Sequence, residues 1–319
     1  MITFIVIGRN IERTVELCLN SIINCVDNCK LLDAEIIYVD SKSTDKTLQI
    51  IRKCYPQVKS ISITGGINAA VGRNVGAKES IGNDLIFLDG DMELNSQFVQ
   101  SILNHNKTLK YDFVSGGVIY HLYDADWKYL EDFDAYKKDK DHIGTGLGGA
   151  AFAVKKELWC QMGGMNTYYA RGEDMDFWFR LSNAGYPLLR RTQVIGIHHT
   201  ISYFDKKRFP KMVLDGGFLY PGLLVRDNIR DKRILWYCIR NFQTAIFLII
   251  SLLFCMFKIY YLIFIYLFLI VARSFLRKKK ENKTILFHVY ARFIYDIMFI
   301  VGFAFFYPKK IELRYVINN

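Results

Sequence analysis

The stretch FLDGDM at 87–92 sets two carboxylates, Asp89 and Asp91, on either side of a single glycine. Like charges that close repel, so the pattern calls for a cation between them. A divalent ion is typically held by one or two carboxylates plus substrate phosphate oxygens, and Gly90 lets the backbone come close. The same pair alone also describes a solvated turn at a strand end. A second acidic run, Arg171-Gly172-Glu173-Asp174-Met175-Asp176, suits the first turn of a helix, where the macrodipole favours negative side chains. His198-His199 closes the apolar run TQVIGI and reads either as a satisfied histidine at a sheet edge or as a metal ligand from one of the two rings. Asp40 closes another apolar run, EIIYVD, three residues before Ser43.

These groups need a frame to position them. Over the first ~115 residues apolar runs alternate with helical periodicity. TFIVI, EIIYV, KSISI and DLIFLD read as strands. Asn10 is the expected cap of a first helix whose Ile11, Val15, Leu19, Ile22, Ile23 and Val26 share a face, and a second helix is expected from Thr47 to Cys54. A glycine-bearing loop, TGGINAAVGRN, leads into a third helix. Strands apolar on both faces, alternating with helices, indicate a mostly parallel sheet covered by helices, with ligands at the carboxyl ends of its strands. Asp40 and Asp89 are both last residues of their strands. In GTGLGGAAF (144–152), Gly148 and Gly149 would either let backbone pass near a ligand or simply open a strand. The run lacks the Lys-Ser/Thr of a phosphate-binding P-loop.

Charge divides the chain. Residues 1–225 hold 26 Lys+Arg and 26 Asp+Glu, so the net charge of +11 lies wholly in residues 226–319, with 16 basic and 5 acidic. The same segment carries 28 nearly unbroken apolar positions at 245–272 around Lys258, flanked by RDNIRDKR and RSFLRKKK. A basic, apolar tail points to an anionic membrane surface and away from nucleic acid. Two basic flanks both favour the cytoplasmic side, which a short helical hairpin satisfies better than one long tilted helix. In the segment 285–306, His288, Arg292 and Asp296 share one helical face, as expected of an interfacial helix or one packed on its neighbours. The expected division is therefore 1–225, catalytic, and 226–319, helical and membrane-associated. MITFIVIG runs straight into Arg9-Asn10 and reads as a buried strand, not a leader. Seven cysteines without paired CxxC spacing read as reduced thiols.

The segments IVIGRNIERTVELCLNSI, EIIYVDSKSTDKT, AAVGRNVGAKESIGNDLIFLDGDM and GGMNTYYARGEDMDFWFRL resemble, in this order, the motifs of family 2 glycosyltransferases. The resemblance covers about residues 1–200. It implies the A-type nucleotide-sugar transferase fold, Rossmann-like, and transfer with inversion from a nucleoside-diphosphate sugar, by default a UDP-sugar. It implies a nucleotide site formed by the first loop (Ile7, Arg9), by Asp40 with Ser43, by Arg73, and by Asp89 and Gly90, Asp89 facing the ribose or donor sugar. It implies a divalent ion, Mn2+ or Mg2+, on Asp91 and Asp89, with a histidine from the 198–199 pair, His198 being the weakly preferred one. Inverting transfer needs a base for the acceptor hydroxyl, and the resemblance assigns it to Asp174 with Glu173 in support.

Some relatives that build long polysaccharides carry a Q-x-x-R-W motif after the Glu-Asp pair. None occurs here, which favours one sugar per acceptor. The expected acceptor is a lipid-linked saccharide held at the cell membrane, with the catalytic region facing the cytoplasm. Two other readings are transfer to a polyisoprenyl phosphate and a nucleotide-sugar-binding membrane protein without turnover.

Overall fold

A computed structural model of the protein describes residues 1–136, 138–146, 151–201, 208–278 and 284–318. They form two compact units: Met1–Phe209 together with Lys309–Asn319, and Pro210–Pro308. The sequence suggests a boundary at 225, whereas the structural boundary falls at 209 and the last eleven residues return to the first unit.

The first unit is built on one sheet. Its strands are β1 (Ile2–Gly8), β2 (Ala34–Asp40), β3 (Lys59–Ile63), β4 (Asp84–Asp89), β5 (Met92–Leu94), β6 (Phe113–Tyr123), β7 (Tyr129–Ala135), β8 (His142–Ile143), β9 (Ala151–Lys155), β10 (Leu189–Ile201) and β11 (Tyr315–Ile317). The order is β11-β3-β2-β1-β4-β9-β6-β10-β5, with β7 beside β6 and β8 beside β10. The block β3-β2-β1-β4 is parallel throughout. Antiparallel strands extend it on both sides, β11 on β3 and β9 on β4. The fold is α/β, as the alternating pattern predicts.

Helices α1 (Val15–Cys29), α2 (Thr47–Cys54), α3 (Ala69–Glu79), α4 (Ser96–Ile102), α5 (Lys156–Gln161) and α6 (Glu173–Asn183) belong to this unit. Val15, Cys18, Leu19, Ile22 and Cys25 of α1 are fully buried, packing with Phe4, Val6, Tyr38 and Leu88 in one apolar core. All seven cysteines are free thiols.

One local expectation is corrected. Asn10 does not cap α1; the helix starts later, after Thr14. Parallel pairing of β1 with β2 brings the loop after β2 alongside, and Asn10 serves it instead. In a left-handed conformation (φ 55°), its side-chain oxygen accepts from the Thr44 amide at 2.8 Å. Tyr129–Ala135, in a strongly charged stretch, forms β7, exposed from Tyr129 to Asp134.

The second unit is helical. α7 (Arg208–Leu214) crosses the boundary, followed by α8 (Tyr220–Asp227), α9 (Lys232–Asn241), α10 (Gln243–Cys255), α11 (Tyr261–Lys278) and α12 (Ile285–Phe305). The 245–272 run is broken between α10 and α11, with Lys258 left-handed at the turn (φ 64°). The Ser251 hydroxyl donates to the carbonyls of Phe247 and Leu262, and Leu248 packs with Tyr266 and Ile270, so the two helices lie against each other as a hairpin. α12 has 21 residues and is long and apolar enough to cross a membrane. His288 and Asp296 are buried, and Arg292 pairs with Asp296 at 3.1 Å while donating to Thr244 and the Asn241 carbonyl. That polar face is packed on neighbouring helices.

Candidate active site

The parallel registers align the carboxyl ends of three strands. Asp40 lies opposite Gly8, and Ile7 opposite Asp89. Asp40 is buried and its Oδ2 accepts from the Ser43 amide at 2.9 Å. The Ser43 hydroxyl in turn accepts from the Asn10 amide at 2.9 Å. Residues 8–10 and 40–44 thus form one hydrogen-bonded edge, with Arg9 exposed beside it. The Ile7 carbonyl accepts from the Gly90 amide at 2.8 Å. A Cβ at Gly90 would lie 2.3 Å from the end of the Ile11 side chain and 3.2 Å from that carbonyl, so a larger residue would force Ile11 to move.

Only Gly90 and Asp91 separate β4 from β5, too few residues for a crossover back into the parallel block. β5 instead pairs antiparallel with β10, His198 opposite Met92 and Gly196 opposite Leu94. Gly196 permits this: a Cβ there would sit 2.2 Å from the Glu93 carbonyl oxygen. The pairing carries His198 across 107 residues of sequence to Asp91, with Nε2 3.1 Å from the carboxylate. Ligand atoms of Asp89, Asp91 and His198 all lie within 4.8 Å of one another. Burial alone would lower the His198 pKa, but the Asp91 carboxylate outweighs it and raises it. Alternation along β10 turns His199 to the other face. Both its ring nitrogens are engaged there, by Glu93 at 2.6 Å and the Tyr123 hydroxyl at 3.0 Å. His198 is the histidine of the cluster and His199 is a strand-pairing residue.

The cation directly beside Asp89 is an arginine. Arg73, buried on α3, donates to Asp89 Oδ1 from Nη2 at 2.8 Å and to Glu173 Oε1 from Nη1 at 2.8 Å. One guanidinium serves two anions, and burial therefore pushes both carboxyls above their usual range against its pull. Asp91 adds to the effect at Asp89, and Asp174 adds to it at Glu173. The structure thus gives Arg73 and Glu173 to each other, while Asp174, the next residue, stays half-buried.

Sequence reasoning missed how α3 holds the acidic segment. Asn68 caps α3 and its amide donates to the Thr167 carbonyl at 2.7 Å. Asn74 pairs like a strand with Met165, donating to its carbonyl at 2.7 Å and accepting from its amide at 2.9 Å. Asp176 also works inside the protein, accepting from Asn166 and Arg180. The glycine-rich segment at 147–150, including Gly148 and Gly149, lies outside the described residues. The rings of Tyr169 and Trp178, which flank the acidic run in sequence, are core residues.

A parallel block with paired aspartates at its carboxyl edge agrees with the A-type fold that the sequence motifs imply. Residues 3–157 match the model of glycosyl transferase family 2, so this chain carries a domain of that family. It is 23% identical over 209 residues to the glycosyltransferase AglE of Haloferax volcanii, covering 63% of this chain and 68% of that one. Its fold matches a crystal structure of GalNAc-T7 with UDP, GalNAc and Mn2+ at TM-score 0.51 and 15% identity. That match covers 63% of this chain and 44% of GalNAc-T7, so it spans less than half of the neighbour. S. aureus TarS (1–349) aligns at TM-score 0.47 and 15% identity over 76% of this chain and 74% of that one.

Proposed function

We propose that this chain is a membrane-held, metal-dependent, inverting glycosyltransferase. It moves one sugar from a nucleoside-diphosphate sugar, by default a UDP-sugar, to a hydroxyl of a lipid-linked saccharide in surface polysaccharide or glycoconjugate assembly. The observation that carries the reading is Arg73. Its single guanidinium holds Asp89, beside Asp91 and His198, and Glu173, beside Asp174. The groups suited to the departing diphosphate and to the attacking hydroxyl are thereby tied to one rigid point.

Two carboxylates and one imidazole fit a divalent ion, and the imidazole favours Mn2+ over Mg2+. When bound, such an ion supplies positive charge to the leaving nucleoside diphosphate. Asp91 and His198 would hold it, with Asp89 turned toward the donor. Asp40, Ser43 and the edge at Ile7 and Arg9 would receive the nucleoside. Asp174 would accept the proton of the acceptor hydroxyl as the anomeric carbon is attacked, and Glu173 would keep Arg73 in place. No covalent enzyme intermediate is needed. The helical unit supports membrane attachment: α12 is long enough to span, and Met256, Phe257, Phe264, Phe268 and Phe305 are largely exposed apolar side chains. Its basic flanks favour a cytoplasmic catalytic face. Confining enzyme and acceptor to one surface raises their effective concentration.

The test is nucleotide release by the purified full chain from UDP-, GDP- and dTDP-sugars, with Mn2+, Mg2+ or EDTA, with and without a membrane-lipid extract. Metal-dependent release from one donor, raised by the extract and lost in Asp91→Ala, is the expected result. Release unaffected by EDTA would remove the metal assignment, and donor binding without release would favour a non-catalytic binding protein.

A further inference from the structure

The chain leaves the catalytic unit at Phe209 and re-enters it at Lys309. What it does on return is specific. β11 pairs antiparallel with the outer edge of β3, Tyr315 opposite Ile63 and Ile317 opposite Ile61. The register is secured at both ends: the Arg314 carbonyl accepts from the amides of Thr64 and Gly65, and the Asn318 amide donates to Ser60. The Tyr315 hydroxyl donates to Glu79, at the end of α3, at 2.7 Å.

An edge cover needs no more than this. The segment goes further, to the loop that leads into the acidic cluster. Thr167, six residues before Glu173, is buried and meets Ile311 twice through one hydroxyl. Its Oγ1 donates to the Ile311 carbonyl at 2.7 Å and accepts from the Ile311 amide at 3.1 Å. The Thr167 carbonyl accepts from Asn68, the cap of α3, which carries Arg73 four residues into the helix. On the other side of Ile311 sits Gly66, where a Cβ would lie 2.8 Å from the Ile311 side chain. The strand register therefore fixes Ile311, Ile311 fixes Thr167, and Thr167 shares its anchor with the helix that holds Asp89 and Glu173.

We infer that the C-terminal segment 309–318 is a positioning element for sugar transfer, acting through the Ile311–Thr167 hydrogen-bond pair on the loop that delivers Glu173 and Asp174. It touches none of the reacting groups. The inference rests on the transferase reading for its effect on turnover, but the contact itself does not. A catalytic fragment ending near 209 or 225 lacks the segment and would carry a misplaced acidic loop even if its sheet formed. Small displacements of this kind cost rate out of proportion to their size, about 10- to 100-fold for shifts of an ångström.

The experiment uses the full chain in membranes or detergent and compares wild type with Thr167→Val, Thr167→Ser and deletion of 309–319. Hydrogen exchange of the amides in 163–175 is read alongside nucleotide release and donor affinity. Thr167→Val is expected to speed exchange in 163–175 and to lower turnover about tenfold while donor affinity stays within about twofold. Thr167→Ser is expected to restore both, and the deletion to exceed Thr167→Val. Unchanged exchange in Thr167→Val, or faster exchange with wild-type turnover, would overturn the inference. An equal loss of donor affinity would also overturn it, since that is general destabilisation. If wild type released nucleotide from no donor, the transferase reading would fail, while exchange would still decide whether the tail holds the loop.

Discussion

Both units bury an arginine against carboxylate, and they do it differently. In the helical unit Arg292 meets Asp296 one turn further along α12. In the catalytic unit Arg73 meets Asp89 sixteen residues away and Glu173 a hundred residues away. The first pair follows from helix geometry alone and would sit on the same face of any helix with that sequence. The second exists only after sheet, α3 and the loop before α6 have all assembled. The ion pair within α12 is local, although Arg292 also reaches Thr244 and the Asn241 carbonyl, whereas the ion pairs of Arg73 bind three elements into a site.

The sharpest way to break the comparison is Arg73→Met. It leaves the buried Glu173 and the half-buried Asp89 without their cation, so a stability loss of about 3 kcal/mol is expected, together with loss of transfer of about 100-fold or more. Denaturant unfolding and nucleotide release measure the two effects. Wild-type release from a folded variant would reduce Arg73 to a structural ion pair.

Next in size is Asp174→Asn. Donor affinity should hold while transfer to a hydroxyl acceptor falls about 10²- to 10⁴-fold. Near wild-type turnover would move the base elsewhere, with Glu173 the first residue to examine. Glu173→Gln should instead weaken stability and turnover together, because it releases Arg73.

In the helical unit, Asp296→Ala removes the carboxylate partner of Arg292 and should cost about 3 kcal/mol. Metal-dependent donor affinity should not change, and if it fell the two units would be coupled in a way the comparison does not contain. The smallest effect is expected from Arg292→Met combined with Asp296→Leu. Replacing both partners of a buried pair by apolar side chains is often near neutral, within about 1 kcal/mol. The matching replacement at Arg73, Asp89 and Glu173 would lose the site.

Much of the frame was legible because its signals are local. DLIFLD reads as a strand by its unbroken apolar run, and it forms β4 over those six residues. Thr47–Cys54 reads as a helix and is one. For the 245–272 run the basic flanks only favoured a hairpin over one long helix, and the structure places the break at Lys258. Asn10 misled because its side chain can cap a helix or bridge a turn, and the choice depends on a loop more than thirty residues away. The two histidines were not separable, since alternation puts them on opposite faces without saying which face meets β5. Tyr315–Ile317 is too short for any periodic signal and follows a long helix, so its place at the sheet edge was invisible.

The sequence determined the elements: where apolar periodicity switches from two to 3.6, where acidic residues end strands, where charge accumulates. Those depend on neighbours within a turn or a strand, and no folding is needed to read them. The tertiary structure decided the partners. A buried charge or hydroxyl must find a complement somewhere in the protein, and Glu173 for Arg73, Asp91 for His198 and Ile311 for Thr167 each lie about a hundred residues away or more along the chain. No local pattern encodes such a choice; it is made by the strand registers that bring those segments together.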